Sequence, residues 1–283
     1  MKKKLALLCT AVLAFGLLAG CGGAKEEAKQ PETSTETPSA GAEQGQYKDG
    51  NYFAKGTPDD KGWMYMVKLE VKDGKITAVN WDGANTKTAG DTKKQLSESG
   101  KYGMKAGGAQ SEWHEQAKKM EDALIEKQDP KAIAVKEGKT DAVSGVSIHV
   151  GDFVTLADQA LAAGPVEAGQ FKDGGYHAEG KDFDDKGWKE TVDVTVFNGQ
   201  IVAANWDNIN KDGKETKKQK SIAGTYGMNW HEQAKKMEDE LIAKQDPAAL
   251  VVKEDGTQDA VTGVSVHVGG FVKLAQEALA SAK

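Results

Sequence analysis

The decapeptide WHEQAKKMED occurs twice in this chain, as Trp113–Asp122 and as Trp230–Asp239. It is the longest exact match within a longer repeat, because residues 45–163 recur as residues 168–283. A repeat of this length far exceeds the roughly 20 to 50 residues of a solenoid unit, and it has the size at which a single hydrophobic core becomes stable. The sequence therefore predicts two tandem globular domains, which we expect to be independent modules joined at Ala163–Pro165.

The decapeptide begins an amphipathic helix in each copy. Apolar residues recur at spacings of four, three and four, which is the pattern of one buried helical stripe. Asn229 with Glu232 resembles a capping box for the second of these helices. Trp113 and Trp230 start the stripes, so we interpret them as core residues, with stacking on an aromatic ligand as the alternative. The stripes consist of Trp113, Ala117, Met120 and Leu124, and of Trp230, Ala234, Met237 and Leu241.

Strands precede these helices, because apolar and polar residues alternate on both sides of a two-residue turn typical of a β-hairpin. The strands and turns are Tyr65–Val71, Asp73-Gly74 and Ile76–Trp81 in the first copy, and Val192–Phe197, Asn198-Gly199 and Ile201–Trp206 in the second. A last helix is predicted over about Val150–Leu161 and about Val268–Leu279. Antiparallel strands followed by helices indicate an α+β fold for each domain.

The N-terminal residues have the pattern of a lipoprotein signal. Lys2, Lys3 and Lys4 precede an apolar run that ends in Leu18-Ala19-Gly20-Cys21, a lipobox. We therefore expect residues 1–20 to be removed and the sulfur of Cys21 to be lipidated, which would anchor the protein to a membrane without a spanning helix. Residues 21–44 lack aromatic and branched aliphatic side chains, so they are predicted to form a flexible linker.

Composition excludes several classes of function. Loss of residues 1–20 would change the formal net charge from −6 to −9, and the chain contains no arginine. An acidic chain without guanidinium groups is not expected to bind nucleic acid. No metal site is predicted, since HExxH and EF-hand spacings are absent. The acidic clusters Asp59-Asp60 and Asp182, Asp184 and Asp185 are interpreted as solvated turns.

A second repeated segment, DAVSGVS at Asp141–Ser147 and DAVTGVS at Asp259–Ser265, lies ahead of each predicted last helix. Including the seven residues that follow, 11 of 14 positions are identical. A hydroxyl on a glycine-containing turn that enters a helix would lie beside unpaired backbone amides and the positive end of the helix dipole, which favour a phosphate. Ser147 and Ser265 have this position in the sequence. An ordinary capped turn is the structural alternative.

These two segments resemble the flavinylation motif of FMN-binding domains, which occur in the NqrC and RnfG subunits of membrane respiratory complexes and in surface lipoproteins of Gram-positive bacteria. The resemblance covers both repeats, and the lipobox, linker and tandem arrangement are similar to those of lipoproteins that carry out extracellular electron transfer. The family usually has alanine before the acceptor and threonine as the acceptor, where this chain has Val146 and Val264 followed by serine.

The resemblance implies that Ser147 and Ser265 each carry FMN through a phosphoester formed by an FMN transferase that uses FAD. It implies recognition roles for Asp141, Ser144 and Gly145 in the first copy and for Asp259, Thr262 and Gly263 in the second. His149 and His267, two residues beyond each acceptor, are candidates for contact with the phosphate or the flavin, with exposed surface histidine as the alternative.

The function that follows is electron transfer by an extracellular, membrane-anchored protein that is not itself an enzyme. A membrane quinone or NADH dehydrogenase would supply electrons to two covalent FMN groups, and extracellular acceptors would receive them. The alternative is a non-redox surface lipoprotein that binds a ligand or a cell-wall component. With either function, the released signal peptide is a candidate pheromone. A serine hydrolase is disfavoured, because His149 replaces the second glycine of a GxSxG nucleophile elbow.

Overall fold

The structure is a computed structural model that describes residues 46–283. The predicted signal peptide, Cys21 and the whole of the predicted linker lie outside the described residues. No described helix combines the length and the apolar character that a membrane crossing requires.

Each repeat contains three strands followed by three helices. The first comprises β1 (Gly50–Lys55), β2 (Trp63–Lys72), β3 (Lys75–Asn85), α1 (Lys93–Glu98), α2 (Trp113–Lys127), a 3-10 turn (Pro130–Ala132) and α3 (Gly151–Ala163). The second comprises β4 (Gly174–Glu179), β5 (Trp188–Phe197), β6 (Gln200–Asn210), α4 (Lys217–Ile222), α5 (Trp230–Lys244), a 3-10 turn (Pro247–Ala249) and α6 (Gly269–Ala280). This mixed architecture agrees with two small tandem α+β domains.

The strands of each domain form an antiparallel meander in the order β1-β2-β3 or β4-β5-β6. The predicted hairpins are present, since Asp73 and Gly74 have φ of 52° and 70°, and Asn198 and Gly199 have 54° and 70°. Two successive positive φ values match the right-handed twist of the flanking strands. The first strand of each sheet was not predicted, because β1 and β4 are only six residues long and rich in glycine and polar residues.

The helices cover one face of each sheet. Helix α2 packs on β3, and α3 packs on β1 and β2, with the same arrangement in the second domain. All eight residues of the predicted stripes are buried. The predicted capping box at Asn229 is wrong, because this residue is in the left-handed region and its side chain does not cap α5. A capping box occurs instead in the first domain, between Glu112 and Glu115.

The other faces of the two sheets pack against each other, so the domains are not the independent modules that we expected. Residues 46–283 belong to one compact unit. The ring of Phe197 lies 6.0 Å from that of Phe53 in the first domain. The sequence carries a signal for this contact, since these strands have apolar side chains on both faces. The residues buried between the sheets are Met64, Met66, Ala84, Phe197, Val202 and Ala203.

Polar contacts fix the relative position of the domains. Asn51 donates a hydrogen bond to the side chain of Asn198 (2.7 Å), and the Thr195 hydroxyl donates to the Gly90 carbonyl (2.8 Å). Gly175 lies against the backbone of Asp91, where a Cβ atom would be only 2.5 Å from the Asp91 Cα. The loop between β3 and α1 therefore packs directly on the first strand of the second domain.

Candidate functional site

The two predicted acceptor loops follow the 3-10 turns and precede the last helices. The helices begin at Gly151 and Gly269, each four residues after the acceptor serine. The serines thus lie just ahead of the last helices, as predicted, but their amides donate to Gln116 and Gln233, so the expectation of unpaired amides beside each hydroxyl is wrong. Their backbone amides are not the unpaired amides of a helix N-terminus.

Both serines are exposed on a segment whose side chains alternate between the interior and the solvent. Val264, Val266 and Val268 are buried in the second domain, while Ser265 and His267 between them are exposed. The first domain has the same alternation from Val146 to Val150. The valine before each acceptor thus packs inward and places the serine side chain on the outer side.

A buried glutamine holds each acceptor loop. The side-chain oxygen of Gln233 accepts hydrogen bonds from the backbone amides of Ser265 (2.7 Å) and Val266 (3.2 Å) and from the Ser265 hydroxyl (3.3 Å). Its amide group donates to the carbonyl of Met228 (2.7 Å). Gln116 makes the equivalent contacts in the first domain, with Ser147, Ile148 and Ser111. Helix and loop are therefore fixed to each other through one side chain.

A lysine one turn further along the same helix lies over the loop. The Lys236 ammonium donates to the Thr262 carbonyl (3.1 Å), and that of Lys119 donates to the Gly145 carbonyl (3.4 Å). Gly145 and Gly263 have φ of 73° and 78°, as the predicted positive φ requires. Each lysine places a positive charge next to the acceptor segment, where an attached phosphate would lie.

The aspartates that open the two segments do not hold the turn. Among the described residues, neither Asp141 nor Asp259 accepts a hydrogen bond from the amides of its own loop, and Asp259 pairs with Lys253 (2.6 Å). The turn is held by the preceding residue instead, through the Thr140 hydroxyl and the Gln258 side chain. Asp141, Asp259, Ser144 and Thr262 are all exposed, which leaves them accessible to another protein.

Ser265 lines a cavity of about 790 Å³, which we name the second-domain cavity. This volume is within the range of ligand sites in proteins, roughly 300 to 1,000 Å³. Five of its sixteen lining residues are aromatic: the rings of Trp206 and Trp230 are 5.1 Å apart, and Trp188 meets Tyr226 edge to face at 6.0 Å. The lining residues are Gly180, Asp182, Phe183, Asp184, Lys186, Trp188, Glu190, Trp206, Asn208, Lys217, Tyr226, Met228, Trp230, Ser265, Val266 and His267.

Two half-buried charged groups lie in this cavity. The Lys217 ammonium donates to the Asn208 side chain (2.8 Å) and lies 5.2 Å from the ring of Trp230. The Glu190 carboxylate accepts a hydrogen bond from the indole N–H of Trp206 (3.1 Å). Burial raises the pKa of Glu190 and lowers the pKa of Lys217, because both charged forms lose solvation there.

In the first domain, the residue equivalent to Lys217 is Lys93, and its side chain lies between four aromatic rings. Lys93 is only 2% exposed, and its ammonium lies 4.3 Å from the ring of Trp63 and 4.4 Å from that of Tyr102. It also donates to the Tyr65 hydroxyl (3.0 Å). Burial lowers the pKa of Lys93 to about 8. We call this arrangement the Lys93 cage; it consists of Lys93, Trp63, Tyr65, Tyr102 and Trp113.

The two domains have different residues at two positions that are close together in the fold but distant in the sequence. Tyr65 and Asp152 of the first domain correspond to Glu190 and Gly270 of the second. Gly270 lies directly against the Glu190 carboxylate, which occupies the space where a Cβ atom at position 270 would be. The carboxylate is thus supplied by the helix in one domain and by the strand in the other.

The predicted histidines and tryptophans differ in whether they line the second-domain cavity, the neighbouring turns or the core. His267 lines the second-domain cavity, as a contact with the flavin would require. The ring of His149 lies against the turn at Gly138. Trp113 and Trp230 are buried core residues, as interpreted, and each contributes a ring to the aromatic cluster that surrounds a lysine.

The acidic turns have structural roles. Asp59 accepts hydrogen bonds from the amides of Lys61 and Trp63, and Asp184 accepts the equivalent bonds in the second domain. Within residues 46–283, no group of three or more histidine, cysteine or acidic residues is arranged to hold a metal ion.

Our sequence reasoning missed the glutamine and the lysine that hold the acceptor loop. Gln116 and Lys119 are the fourth and seventh residues of the decapeptide, so both lie on one face of α2. The identity of these polar positions in both copies was the available signal. The buried helical stripe accounts for the identity of the apolar residues only. The identity of polar residues such as Gln116 and Lys119 in both copies indicated a separate role for them.

Comparison with known proteins gives three matches that each span about one repeat. The 15 kDa lipoprotein of Treponema pallidum (strain Nichols) is 26% identical over 128 residues, which cover 44% of this chain and 85% of that protein. A solution NMR structure of a Clostridium thermocellum protein has 44% identity and a TM-score of 0.34, with 39% of this chain and 91% of that chain covered. A crystal structure of a Clostridium perfringens protein has 26% identity and a TM-score of 0.30, with 40% and 88% covered. No protein-family model matches the chain.

The Treponema match supports one of our predictions at a coarse level. The relative is a lipoprotein, which agrees with the lipobox that ends at Cys21.

Proposed function

We propose that this protein is a membrane-anchored extracellular flavoprotein with FMN attached covalently to Ser147 and Ser265. The observation that carries the proposal is the position of Ser265: an exposed hydroxyl at the edge of a cavity with aromatic walls. An isoalloxazine ring is planar and aromatic, so the exposed ring of Phe183 and the partly exposed ring of Tyr226 can pack against it. The Lys236 ammonium beside the loop complements the negative charge of a phosphoester.

Attachment requires a separate FMN transferase. In the proposed reaction, the serine oxygen attacks the FMN phosphorus of FAD, the bond between the two phosphates breaks, and AMP leaves while the hydroxyl proton is released. The exposed residues Asp141, Ser144, Asp259 and Thr262 would be available to the transferase. Ser147 and Ser265 are then attachment points rather than catalytic residues, and this chain is a substrate of the transferase.

The proposed role in the cell is electron transfer between the membrane and the extracellular medium. A quinol or an NADH dehydrogenase is oxidised, and its electrons and protons reduce the flavin, which passes them to an external acceptor. The flavin supplies the redox chemistry when bound. The chain contributes the aromatic walls, the charged groups and the attachment loop. Lipid on Cys21 and the flexible residues 22–44 would keep the domains near the membrane while allowing them to move.

The experiment is to isolate the protein from its native membrane and to measure its flavin content. We expect flavin fluorescence that survives denaturing electrophoresis and an intact mass increased by two FMN groups, each less one water. Ser147→Ala and Ser265→Ala should each remove one FMN, and the double variant should remove both. Ser99→Ala with Ser281→Ala serves as the matched control, because it removes one exposed hydroxyl from each domain at positions outside the acceptor loops. Native protein without bound flavin would refute the proposal and favour a non-redox binding lipoprotein.

A further inference from the structure

The two domains differ at the place where a flavin ring would bind, although their sequences are close repeats. In the second domain, Lys217 is half-buried and the aromatic residues surround an open cavity. In the first domain, Lys93 is buried inside its cage. The cavity that includes Tyr65, of about 410 Å³, is lined by Asp152 and other residues of α3 and does not include Ser147.

The exchange of Tyr65 for Glu190 is one cause of this difference. The phenol of Tyr65 holds the Lys93 ammonium with a hydrogen bond of 3.0 Å, so the cage is closed by a direct contact. Glu190 is instead bound to the indole of Trp206 and lies in the space left by Gly270. Without a hydroxyl in the place of Tyr65, Lys217 is bound by Asn208 at the cavity wall.

A difference in loop length is the second cause. The sequence YGM precedes α2 at Tyr102–Met104 and α5 at Tyr226–Met228, but residues 105–111 of the first domain have no counterpart in the second. In the first domain the longer loop lets Met104 pack against the core. In the second domain Met228 is 65% exposed and lines the cavity.

The short loop is also strained. Met228 and Asn229 have φ of 73° and 44°, so two successive residues other than glycine are in the left-handed region. Such a conformation costs about 1 kcal/mol or more per residue and is enriched at ligand sites. Phe183, 43% exposed, is another large apolar side chain on the lining of the same cavity. An apolar ligand would cover both side chains.

We infer that the second-domain cavity is a preformed noncovalent site for a planar, uncharged aromatic ring with polar edges, such as the isoalloxazine of flavins, and that the first domain lacks an equivalent site. The accessible rings of Phe183 and Tyr226 contact the ligand ring, over a floor formed by the buried indoles. Glu190 and Lys217 supply a hydrogen-bond acceptor and a donor for its polar groups. This inference rests on the proposed function for the choice of ligand, but it concerns binding without a covalent bond.

The test uses the full chain with Ser147→Ala and Ser265→Ala, produced without an FMN transferase, so that every bound flavin is noncovalent. Riboflavin is the probe, because it has the ring but no phosphate. Equilibrium dialysis and quenching of tryptophan fluorescence should give one site per chain. Two equivalent sites, or none, would overturn the inference.

Exchange variants locate the site. In the same chain, Glu190→Tyr with Gly270→Asp gives the second domain the residues of the first, and we expect the affinity for riboflavin to fall at least 10-fold. The reciprocal change, Tyr65→Glu with Asp152→Gly, should release Lys93 and create a second site. Circular dichroism and thermal unfolding verify the fold of each variant. Phe183→Ala, at an exposed position, provides a further variant with an expected loss of affinity of 3-fold or more.

The outcomes for the inference and for the proposed function are distinct. Riboflavin binding at one site by a protein whose native form carries no covalent flavin would support the inference and refute the proposed function. Native protein with FMN on both serines, together with no change of riboflavin affinity in the Glu190→Tyr, Gly270→Asp variant, would support the function and refute the inference.

Discussion

At the scale of single residues, the acceptor loop depends most on one glutamine in each domain. Gln116 and Gln233 satisfy backbone groups on both sides, the loop amides through the side-chain oxygen and the carbonyl before the helix through the side-chain amide. Hydrogen bonds of this kind contribute about 0.5 to 1.5 kcal/mol each, and loss of one partner leaves the others unpaired.

Gln233→Leu is expected to lower the free energy of unfolding by about 1 to 3 kcal/mol and to release the acceptor loop. Leucine preserves the approximate volume but offers neither the acceptor nor the donor. Hydrogen exchange of the Ser265 and Val266 amides should become faster, whereas amides of β5 should exchange as before. Lys235→Ala, at an exposed position on the same helix, is the control with an expected change below about 0.5 kcal/mol. Unchanged exchange at Ser265 would contradict this assignment.

Trp81 and Trp206 occupy equivalent positions in the two domains but differ in their hydrogen bonding. The indole N–H of Trp81 has no hydrogen-bond partner among residues 46–283, whereas that of Trp206 donates to Glu190. Replacement by phenylalanine removes a similar volume at both positions. We expect Trp206→Phe to destabilise the protein by about 1 to 3 kcal/mol more than Trp81→Phe, because it leaves a half-buried carboxylate without its donor. Urea unfolding of the two variants measures the difference, and equal losses would count against it.

At the scale of elements, much of each domain is predictable from the sequence. The hairpins, the helix that begins at Trp113 and the approximate position of the last helix follow from local patterns. The short strands β1 and β4 and the helices α1 and α4 do not, because six residues carry little periodicity and tertiary packing determines their conformation. The repeat singled out Ser147 and Ser265, but their role as FMN acceptors came only from the family resemblance. Their glutamine and lysine contacts depend on how two distant segments meet in space.

Strand β3 contains a buried acid, packed against the start of helix α1, that makes stability depend on pH. Asp82 accepts hydrogen bonds from the amides of Gly83 and Lys94, and burial raises its pKa to about 6 from an ordinary value of 3.8. The folded state therefore binds the proton more tightly than the unfolded state. The stabilisation from this group is complete below about pH 4 and is lost as the pH rises through about 6.

Asp82→Asn should consequently stabilise the protein at pH 7 to 8 by about 1 to 3 kcal/mol, because asparagine retains the acceptor oxygen without the cost of a buried charge. The gain should disappear below about pH 4, where the aspartate is protonated in both states. Thermal unfolding of the variant and of the unsubstituted protein between pH 3.5 and 8 tests whether the stabilisation increases with pH. Asp122→Asn, an exposed residue of α2, controls for the loss of one negative charge. A gain that does not depend on pH would show that Asp82 does not titrate as described.

At the scale of the whole molecule, we expect the contact between the two sheets to make the domains unfold together. Phe197→Ala removes a buried ring between the sheets and should cost about 3 to 5 kcal/mol. Because the lost contacts lie between the domains, we expect one calorimetric transition to separate into two and proteolysis near residues 164–168 to become faster. Val166→Ala, at an exposed position, is the control. A single transition with a lower midpoint would mean that the domains remain coupled without this ring.

The bridge that Gln116 and Gln233 form between helix and loop has a consequence for protein engineering. A heptapeptide grafted alone into another protein would carry the acceptor serine but not the side chain that shapes the loop around it. Given the proposed attachment of FMN, the smallest portable flavin tag derived from this chain would have to include both the helix and the loop, from about residue 111 to residue 150. Portability is therefore a property of a folded substructure and not of a short linear motif.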